Sequence, residues 1–573
     1  MDRPWLSSYP SGVPAEIDTQ ELASLVTLML RACERYGERP AFTHLGTSLS
    51  FRAFERLTRD FAAHLCAELG SACKGERIAL MLPNCLQYPV AILGALRAGL
   101  VVVNVNPMYT ASELEFQLRD SNAVALVVLE NLSRTVQSAL PHTAVRHVIT
   151  TQLGDLLAAP RRWLVNLVMR HRHPFERVPG AHSTSMRQAL LSGAHASFDE
   201  VPLVHSDAAF VQYTGGTSGR PKGALLSHGN MVANVLQTAA WVGPRLEPGA
   251  ETVITALPLS HVFALTANLL VFLHMGGCEV LVSDARDVAS LAKLIRRTRF
   301  TAITGVNTLF DALMNAPGAE RTWKARRGML KLAVAGGMAV TAPVARRWLQ
   351  ATGIPLLEGY GLTEASPIVC VNPVDAREYS GKLGLPLPST EVRICDNEGE
   401  PVPLGVIGEI LVRGPQVMQG YWRQPEETAV ALSADGWLRT GDLGRMDERG
   451  FVEFVDRKKD VIVVSGFKAY PAEIEEVVRR HPAVKDAGAV GIRDSRCGEA
   501  VVLFVVARDP GLNEAEIRSY CEQHLTGYKR PRFIQLCDEL PRTALGKVSH
   551  LRLRDDAARL FASASEEGMV SSA

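Results

Sequence analysis

The sequence predicts an α/β protein. Its expected parts are a large N-terminal domain of doubly wound α/β subdomains plus a small β-barrel, and then a small α+β C-terminal domain. Three observations predict it. Helix-period and strand-like apolar runs alternate from about residue 22 to 150 and again from 208 to 372, the pattern of a parallel sheet covered by helices on both faces. Between about 380 and 455 the texture changes to short strands separated by turns. Beyond the charged run Asp456-Arg457-Lys458-Lys459-Asp460, helix, strand and helix patterns form a compact unit. The expected boundaries are 1–205, 206–379, 380–455, a linker at 456–460, and 461–573.

Asp18 followed three residues later by Glu21 is a capping-box signature, and Leu22, Leu25, Val26, Met29 and Cys33 then recur at helical spacing. Phe51, Phe54, Leu57, Phe61, Leu65 and Leu69 repeat that spacing in a second helix. Extended runs follow at Arg77–Leu82, Val101–Val105, Val124–Leu129 and His147–Thr150, with a helix at Ser112–Leu118. From about 152 to 204 the pattern weakens. Within that stretch, residues 161–173 set a Trp/Leu/Val/Met face against a basic rim. Two readings stand: a helix lying in a membrane interface or, slightly favoured, one docked on its own protein.

The segment Tyr213-Thr214-Gly215-Gly216-Thr217-Ser218-Gly219-Arg220-Pro221-Lys222-Gly223 is expected to be a loop between two strands at a sheet edge. Its glycines let the backbone approach a ligand and turn N–H groups inward, its hydroxyls donate, and Lys222 adds a mobile positive charge. That chemistry suits a polyphosphate. It is not the common P-loop, because Lys222 is followed by Gly223 rather than Ser or Thr. Three further apolar runs end in Gly or polar residues, where an α/β sheet presents ligand-binding strand ends. They are Leu257-Pro258-Leu259-Ser260-His261-Val262-Phe263, Ala333-Val334-Ala335-Gly336-Gly337-Met338 and Leu356-Leu357-Glu358-Gly359-Tyr360-Gly361-Leu362-Thr363-Glu364.

Short strands at Val392–Cys395, Gly408–Val412 and Phe451–Val455, with turns at 396–399 and 447–450, read as the small β-barrel. The last unit has helices at Ala472–Arg480 and Glu514–His524 around a strand at Val501–Ala507. Past Asp556 the Ser/Ala/Glu-rich tail carries too little apolar content to need an ordered fold.

Composition bounds the partners. A net charge of +1 over 573 residues argues against nucleic acid as the main partner, so small ligands are expected. The 10 cysteines form no CxxC pair, which fits reduced thiols in a cytoplasmic protein. The opening Met1-Asp2-Arg3-Pro4-Trp5 lacks the pattern of a signal peptide, and the apolar run Pro89–Val103 is cut by Arg97 and Gly99, so no membrane-spanning helix is expected.

Five motifs occur in one order: Tyr213–Gly223, Gly359-Tyr-Gly-Leu-Thr-Glu, Trp437-Leu-Arg-Thr-Gly-Asp, Asp456-Arg-Lys-Lys-Asp, and Pro541-Arg-Thr-Ala-Leu-Gly-Lys547. Together they resemble the acyl-adenylate-forming superfamily, over nearly the whole chain. Within it the segments Tyr88-Pro-Val-Ala, Val103-Asn-Val-Asn-Pro, Ile303–Phe310 and Val464–Pro471 resemble bacterial long-chain fatty acyl-CoA synthetases.

The resemblance implies carboxylate activation by ATP to an acyl-adenylate and pyrophosphate, then thioester formation with CoA, with Mg²⁺ as cofactor and a medium- to long-chain fatty acid as substrate. It implies that Thr214, Gly215, Gly216, Thr217, Ser218, Gly219 and Lys222 hold the phosphates, and that Glu364 binds Mg²⁺ with Thr363 near the α-phosphate. Tyr360, Gly361, Gly336 and Gly337 would enclose adenine, and Asp442 with Arg457 the ribose. By the same resemblance Lys547 bridges carboxylate and α-phosphate, Lys459 is the hinge of a mobile C-terminal domain, and Gly466, Phe467 and Lys468 receive CoA. His261, Val262, Gly305 and Ala335 would border the acyl pocket, with His261 near the carboxylate. Two departures bear on chain length: Ser260 stands where these enzymes commonly carry Tyr, and Ala335 where Gly is usual. Peripheral contact with the inner membrane surface and a homodimer are further expectations. Two alternatives stay open: transfer of the acyl group to a carrier protein, and a non-catalytic lipid- or nucleotide-binding protein on the same scaffold.

Overall fold

The computed structural model describes residues 3–70, 73–172, 182–214, 221–465, 467–494, 497–543 and 546–566. Two compact units make up the chain: the first comprises Met1–Gly216, Arg220–Glu391 and Val412–Leu438, and the second mainly Val392–Leu411 and Arg439–Ala573.

The first unit holds two large sheets. One has eight strands in the order Gly420–Tyr421, Lys222–Ser227, Ala208–Thr214, Val101–Asn104, Arg77–Met81, Ala123–Leu129, His147–Thr151 and His182–Ser185. From Ala208–Thr214 onward neighbours run parallel, and the first two strands are antiparallel additions. Arg77–Met81, Val101–Asn104 and Ala123–Leu129 are buried at every position, which is why they read as near-continuous apolar runs rather than alternating ones. The other sheet has nine strands, and its parallel centre is Leu357–Gly361, Leu332–Gly336, Ala302–Gly305, Thr252–Thr255, Cys278–Leu281 and Pro40–His44.

The sheets do not part at residue 205. Pro40–Ser50 joins the nine-stranded sheet through Phe42 opposite Glu279, while the Ala208–Ser227 hairpin joins the eight-stranded one through Phe210 opposite Val102. Local periodicity marks a strand but carries no information about its partner, so only long-range register could reveal this crossing.

Two further expectations need correction. The first helix begins at Leu25, capped by Ser24, whose side chain accepts from the Thr27 N–H. Asp18 instead turns its carboxylate back onto the Gln20 N–H at 2.8 Å, a local bond that competes with helix initiation. The apolar face is as expected, with Leu25, Val26, Met29 and Cys33 buried. The tail is also more ordered than its composition suggests: a helix runs from His550 to Glu566. Leu553, Ala557 and Phe561, four residues apart on one face, pack into the cluster with Val502 and Phe504, and Phe561 stacks on Phe533 at 4.7 Å.

The region expected to form a small β-barrel is built on a four-stranded sheet, Glu391–Cys395, Gly408–Arg413, Leu438–Met446 and Val452–Arg457, its last pair antiparallel. The C-terminal α+β fold has a five-stranded sheet centred on Gly498–Ala507, over which the helices Pro471–Arg479 and Glu514–His524 bury Ile474, Val478, Ile517 and Cys521. Among the described residues no helix is long and apolar enough to cross a membrane.

The basic segment forms a helix, Arg161–Arg172. The slightly favoured reading, an apolar face docked on the protein, does not hold: Trp163, Leu164, Leu167 and Val168 are all exposed. The polar edge faces inward instead. Asn166 accepts from the Gly154 N–H at 2.8 Å and donates to Asp155 at 3.0 Å, and Arg161 donates to the Gly46 carbonyl.

Candidate active site

In the first unit the predicted strand ends converge as neighbours. Gly305 lies opposite Ala335, and Gly336 opposite Gly359, at the carboxyl ends of parallel strands. A side chain at Gly336 would meet the Phe263 ring at 3.0 Å and the Gly359 carbonyl at 3.2 Å, so the Ser260–Phe263 segment abuts this edge. Gly337 has a φ of +79°, a left-handed turn that leaves its backbone uncovered by a Cβ. Val262 and Ala335 are buried at this edge. His261 caps the short helix that follows it, accepting from the Phe263 N–H at 3.3 Å. A cavity of about 630 Å³ lined by Arg327, Lys331 and Ile354 lies at the opposite ends of these strands, away from the converging residues.

Glu364 sits in a tightly braced turn. At Gly361 any Cβ would fall 2.0 Å from the Pro367 carbonyl, which itself accepts from the Leu362 N–H at 3.0 Å. Behind the turn Ser366 donates to the Gln416 carbonyl at 2.8 Å, and Thr266 donates to the Ser366 carbonyl at 2.7 Å. Tyr360 and Thr363 flank this turn, both half-buried. The Tyr421 hydroxyl donates to Glu364 Oε1 at 2.8 Å, and the Met418 N–H donates to the Glu364 carbonyl at 2.8 Å. Burial, and then Glu364, push the Tyr421 phenol well above its usual range, so it remains a donor. Lys222 stands opposite Thr214 on the hairpin, holds its ammonium 5.2 Å from the centre of the Tyr421 ring, and pairs with Glu427. Tyr421 therefore links Lys222 to Glu364. Gly215, Gly216, Thr217, Ser218 and Gly219 lie outside the described residues, as does Gly466.

In the second unit Asp442 lies opposite Arg457 on adjacent strands, with the Arg457 Nε 3.4 Å from Asp442 Oδ1. Asp442 is buried and its N–H donates to Thr440 Oγ1 at 3.0 Å. Lys547 belongs to the same electrostatic cluster: burial first and Arg457 second push its pKa down to about 8, and Asp442 pulls the other way. Lys459 is exposed on the turn that follows Arg457. Phe467 and Lys468 are exposed on the edge strand Phe467–Ala469, where Phe467 stacks on Tyr528 at 5.1 Å.

Sequence reasoning missed Tyr421 and Glu409. Glu409 is buried, accepts from Lys458 at 3.0 Å and the Gly441 N–H at 3.2 Å, and lies 3.6 Å from Arg439, so it fixes the turn that carries Asp442. Both residues sit in ordinary strand patterns far from their partners. The only local signal is a charged residue in an otherwise apolar strand, Gly-Glu-Ile-Leu-Val.

The first unit thus carries converging strand ends and a braced carboxylate, the second a buried aspartate with cationic neighbours, and the comparisons with known proteins say to which family such a chain belongs. Residues 29–422 match the AMP-binding enzyme family and residues 473–547 the AMP-binding enzyme C-terminal domain, so the chain belongs to the AMP-binding enzymes. It is 48% identical over 560 residues to a long-chain-fatty-acid–CoA ligase of Escherichia coli O6:H1, covering 97% of this chain and 99% of the relative. It is 44% identical over 562 residues to the enzyme of that name in Haemophilus influenzae, covering 97% and 99%. Among solved structures it is similar to ATP-bound MatB from Rhodopseudomonas palustris, with a TM-score of 0.80, 28% identity, and 94% and 99% of the two chains covered. An anthranilate CoA ligase in complex with anthranoyl-AMP shares the fold at a TM-score of 0.80, with 23% identity and 95% and 100% of the chains covered.

Proposed function

We propose that this chain is a long-chain-fatty-acid–CoA ligase that joins a fatty acid to ATP as an acyl-adenylate, releasing pyrophosphate, and then transfers the acyl group to CoA, releasing AMP. The observation that carries the reading is the end-to-end similarity to ligases of that name at 44% to 48% identity, together with Glu364, Asp442 and Lys547 standing in its motifs.

The first half-reaction brings two anions together. A carboxylate oxygen attacks the α-phosphorus and the bond to the β-phosphate oxygen breaks, so the site must neutralise charge and hold the partners in line. Lys222 and the loop ahead of it bind the phosphates in this reading, Tyr360 and the Gly336–Gly337 backbone flank adenine, and Asp442 accepts from the ribose hydroxyls. Lys547, as an ammonium, offsets the charge of the reacting pair. Glu364, with its Tyr421 donor, suits Mg²⁺, a hard cation that takes one or two carboxylates beside substrate phosphates. When bound, Mg²⁺ supplies charge neutralisation at those phosphates. In the second half-reaction the thiol attacks the acyl carbon and AMP leaves. A reorientation about Lys459 and binding of the pantetheine arm along Phe467 and Lys468 serve that step.

Purified protein given Mg-ATP and straight-chain acids from C6 to C18 is expected to catalyse fatty-acid-dependent pyrophosphate exchange and to form a thioester with free CoA. Exchange without any CoA thioester would favour transfer to a carrier protein, and failure of both would sink the enzymatic reading.

The Arg161–Arg172 helix supports peripheral contact with an anionic lipid surface. Trp163 and Leu167 are 63% and 66% exposed on one face, and Arg162 and Arg170 supply the charge that acidic headgroups complement.

A further inference from the structure

At the edge of the eight-stranded sheet opposite the Lys222–Ser227 strand, three metal-ligating side chains meet. His147 and His182 are register partners on adjacent parallel strands, and Glu68 reaches them from the helix Phe51–Leu69. Both imidazoles direct Nδ1 at the same carboxylate oxygen, Glu68 Oε2, from 3.8 Å for His147 and 3.4 Å for His182. The three ligand atoms all lie within 4.8 Å of one another. A hydrogen bond would draw donor and acceptor to about 2.7–3.2 Å. A tetrahedral Zn²⁺, with bonds of about 2.0–2.2 Å, instead holds its ligands roughly 3.3–3.5 Å apart. The 3.4 Å from His182 to Glu68 falls in that range, and the 3.8 Å from His147, too long for a hydrogen bond, would close by a few tenths of an ångström around an ion. We propose that Glu68, His147 and His182 bind a divalent transition metal, best matched by Zn²⁺, with water completing the coordination.

Two independent features agree. The Nδ1 of His147 is shielded from solvent and has no hydrogen-bond partner, a costly state that an ion at this point would relieve. The pocket between the groups has a volume of about 10 Å³, enough for one ion or one water, and Leu65, Ile149 and a third imidazole, His64, also line it. The position explains what an ion would do. The edge strand His182–Ser185 reads His-Ser-Thr-Ser, exposed or half-buried throughout, with no apolar anchor of its own. A metal shared with His147 and Glu68 would pin it to its neighbour and to the helix above.

The test uses the full chain, freed of metal by a chelator and titrated with Zn²⁺ against a competing indicator, then with Co²⁺ for its visible ligand-field spectrum. One equivalent of Zn²⁺ is expected to bind, raising the melting temperature, and Co²⁺ should give a four-coordinate spectrum. His182→Ala, whose side chain is 60% exposed and so leaves the fold intact, should lose more than about tenfold in Zn²⁺ affinity, since outer-shell partners alone are worth about 10–100-fold. Glu68→Gln should behave alike, and pyrophosphate exchange should be unchanged in both. Equal affinity and spectrum in wild type and His182→Ala, or no saturable binding to the wild type, would overturn the site.

Discussion

The braced cluster around Glu364 and the cationic cluster around Asp442 hold the same kinds of side chain under opposite constraints. In the first unit the two charged groups of the cluster are partnered: Glu364 takes the Tyr421 hydroxyl, and Lys222 takes Glu427. In the second, Asp442 is outnumbered, with Arg457 and Lys547 acting on it and on each other. Burial first and the neighbouring Arg457 second lower the pKa of Lys547, and Asp442 opposes them. In the proposed reaction the paired, braced cluster would hold a ligand in place, and the cationic cluster, with a lysine of adjustable charge, would answer an incoming anion.

The largest effect should therefore fall on Lys547. Lys547→Ala is expected to slow adenylate formation by about 10²–10³-fold, the scale of removing one preorganised charge-stabilising donor, while a presynthesised acyl-adenylate still reacts with CoA. Equal loss of both half-reactions would contradict the assignment. The titration adds a sharper reading. Lys547 is charged below about 8, so the rate of adenylation should fall as pH rises through that value. Lys547→Arg, which cannot lose its proton in this range, should abolish that descending limb even if its rate is lower. The effect on stability has the opposite sense. Folding lowers this pKa from 10.5, so the unfolded chain binds more protons between about 8 and 10.5, and the contribution of Lys547 to stability rises with pH across that window.

On the braced side the effects should be smaller. Tyr421→Phe removes a hydrogen bond to a carboxylate, a loss of about 1.5–3 kcal/mol or roughly 10–100-fold, and should appear as a raised Mg²⁺ requirement in pyrophosphate exchange. An unchanged Mg²⁺ dependence would mean that Tyr421 braces the turn and nothing more. Glu427→Gln tests the pairing from the other side. If Lys222 binds phosphate as proposed, Glu427 would compete for it, and since Glu427 is half-exposed the pair is worth under about 1 kcal/mol, so the KM for ATP should fall by no more than about fivefold. A rise in KM would make Glu427 part of the nucleotide site instead.

The contrast also explains what could be read from the sequence. The parallel strands and the strand-end motifs were legible because burial on both faces writes continuous apolar runs, and turns write glycine. The partners were not. Tyr421 lies 57 residues from Glu364, and Glu409 lies 32 from Gly441, and no local pattern encodes such pairings. Asp18 and Glu21 misled for the reverse reason: their spacing is right for a capping box, but the carboxylate finds the Gln20 N–H first. The His550–Glu566 helix escaped notice because its apolar face needs only Leu553, Ala557 and Phe561, too sparse to stand out in a tail rich in Ser and Ala.

The smallest effect on the chemistry should come from the Arg161–Arg172 helix, although its effect on location should be large. Its polar edge is tied down by Asn166 and Arg161, so the outward apolar face is not needed to hold the helix in place. The double variant Trp163→Glu with Leu167→Glu, both at exposed positions, should change stability by less than about 0.5 kcal/mol and leave the turnover of a soluble medium-chain acid untouched. It should nevertheless abolish sedimentation with phosphatidylglycerol vesicles, and wild-type sedimentation should weaken as salt rises, because headgroup attraction to Arg162 and Arg170 is screened over about 10 Å at 0.1 M. Equal recovery of wild type and variant in the pellet would remove the membrane role and leave an exposed apolar face without a function.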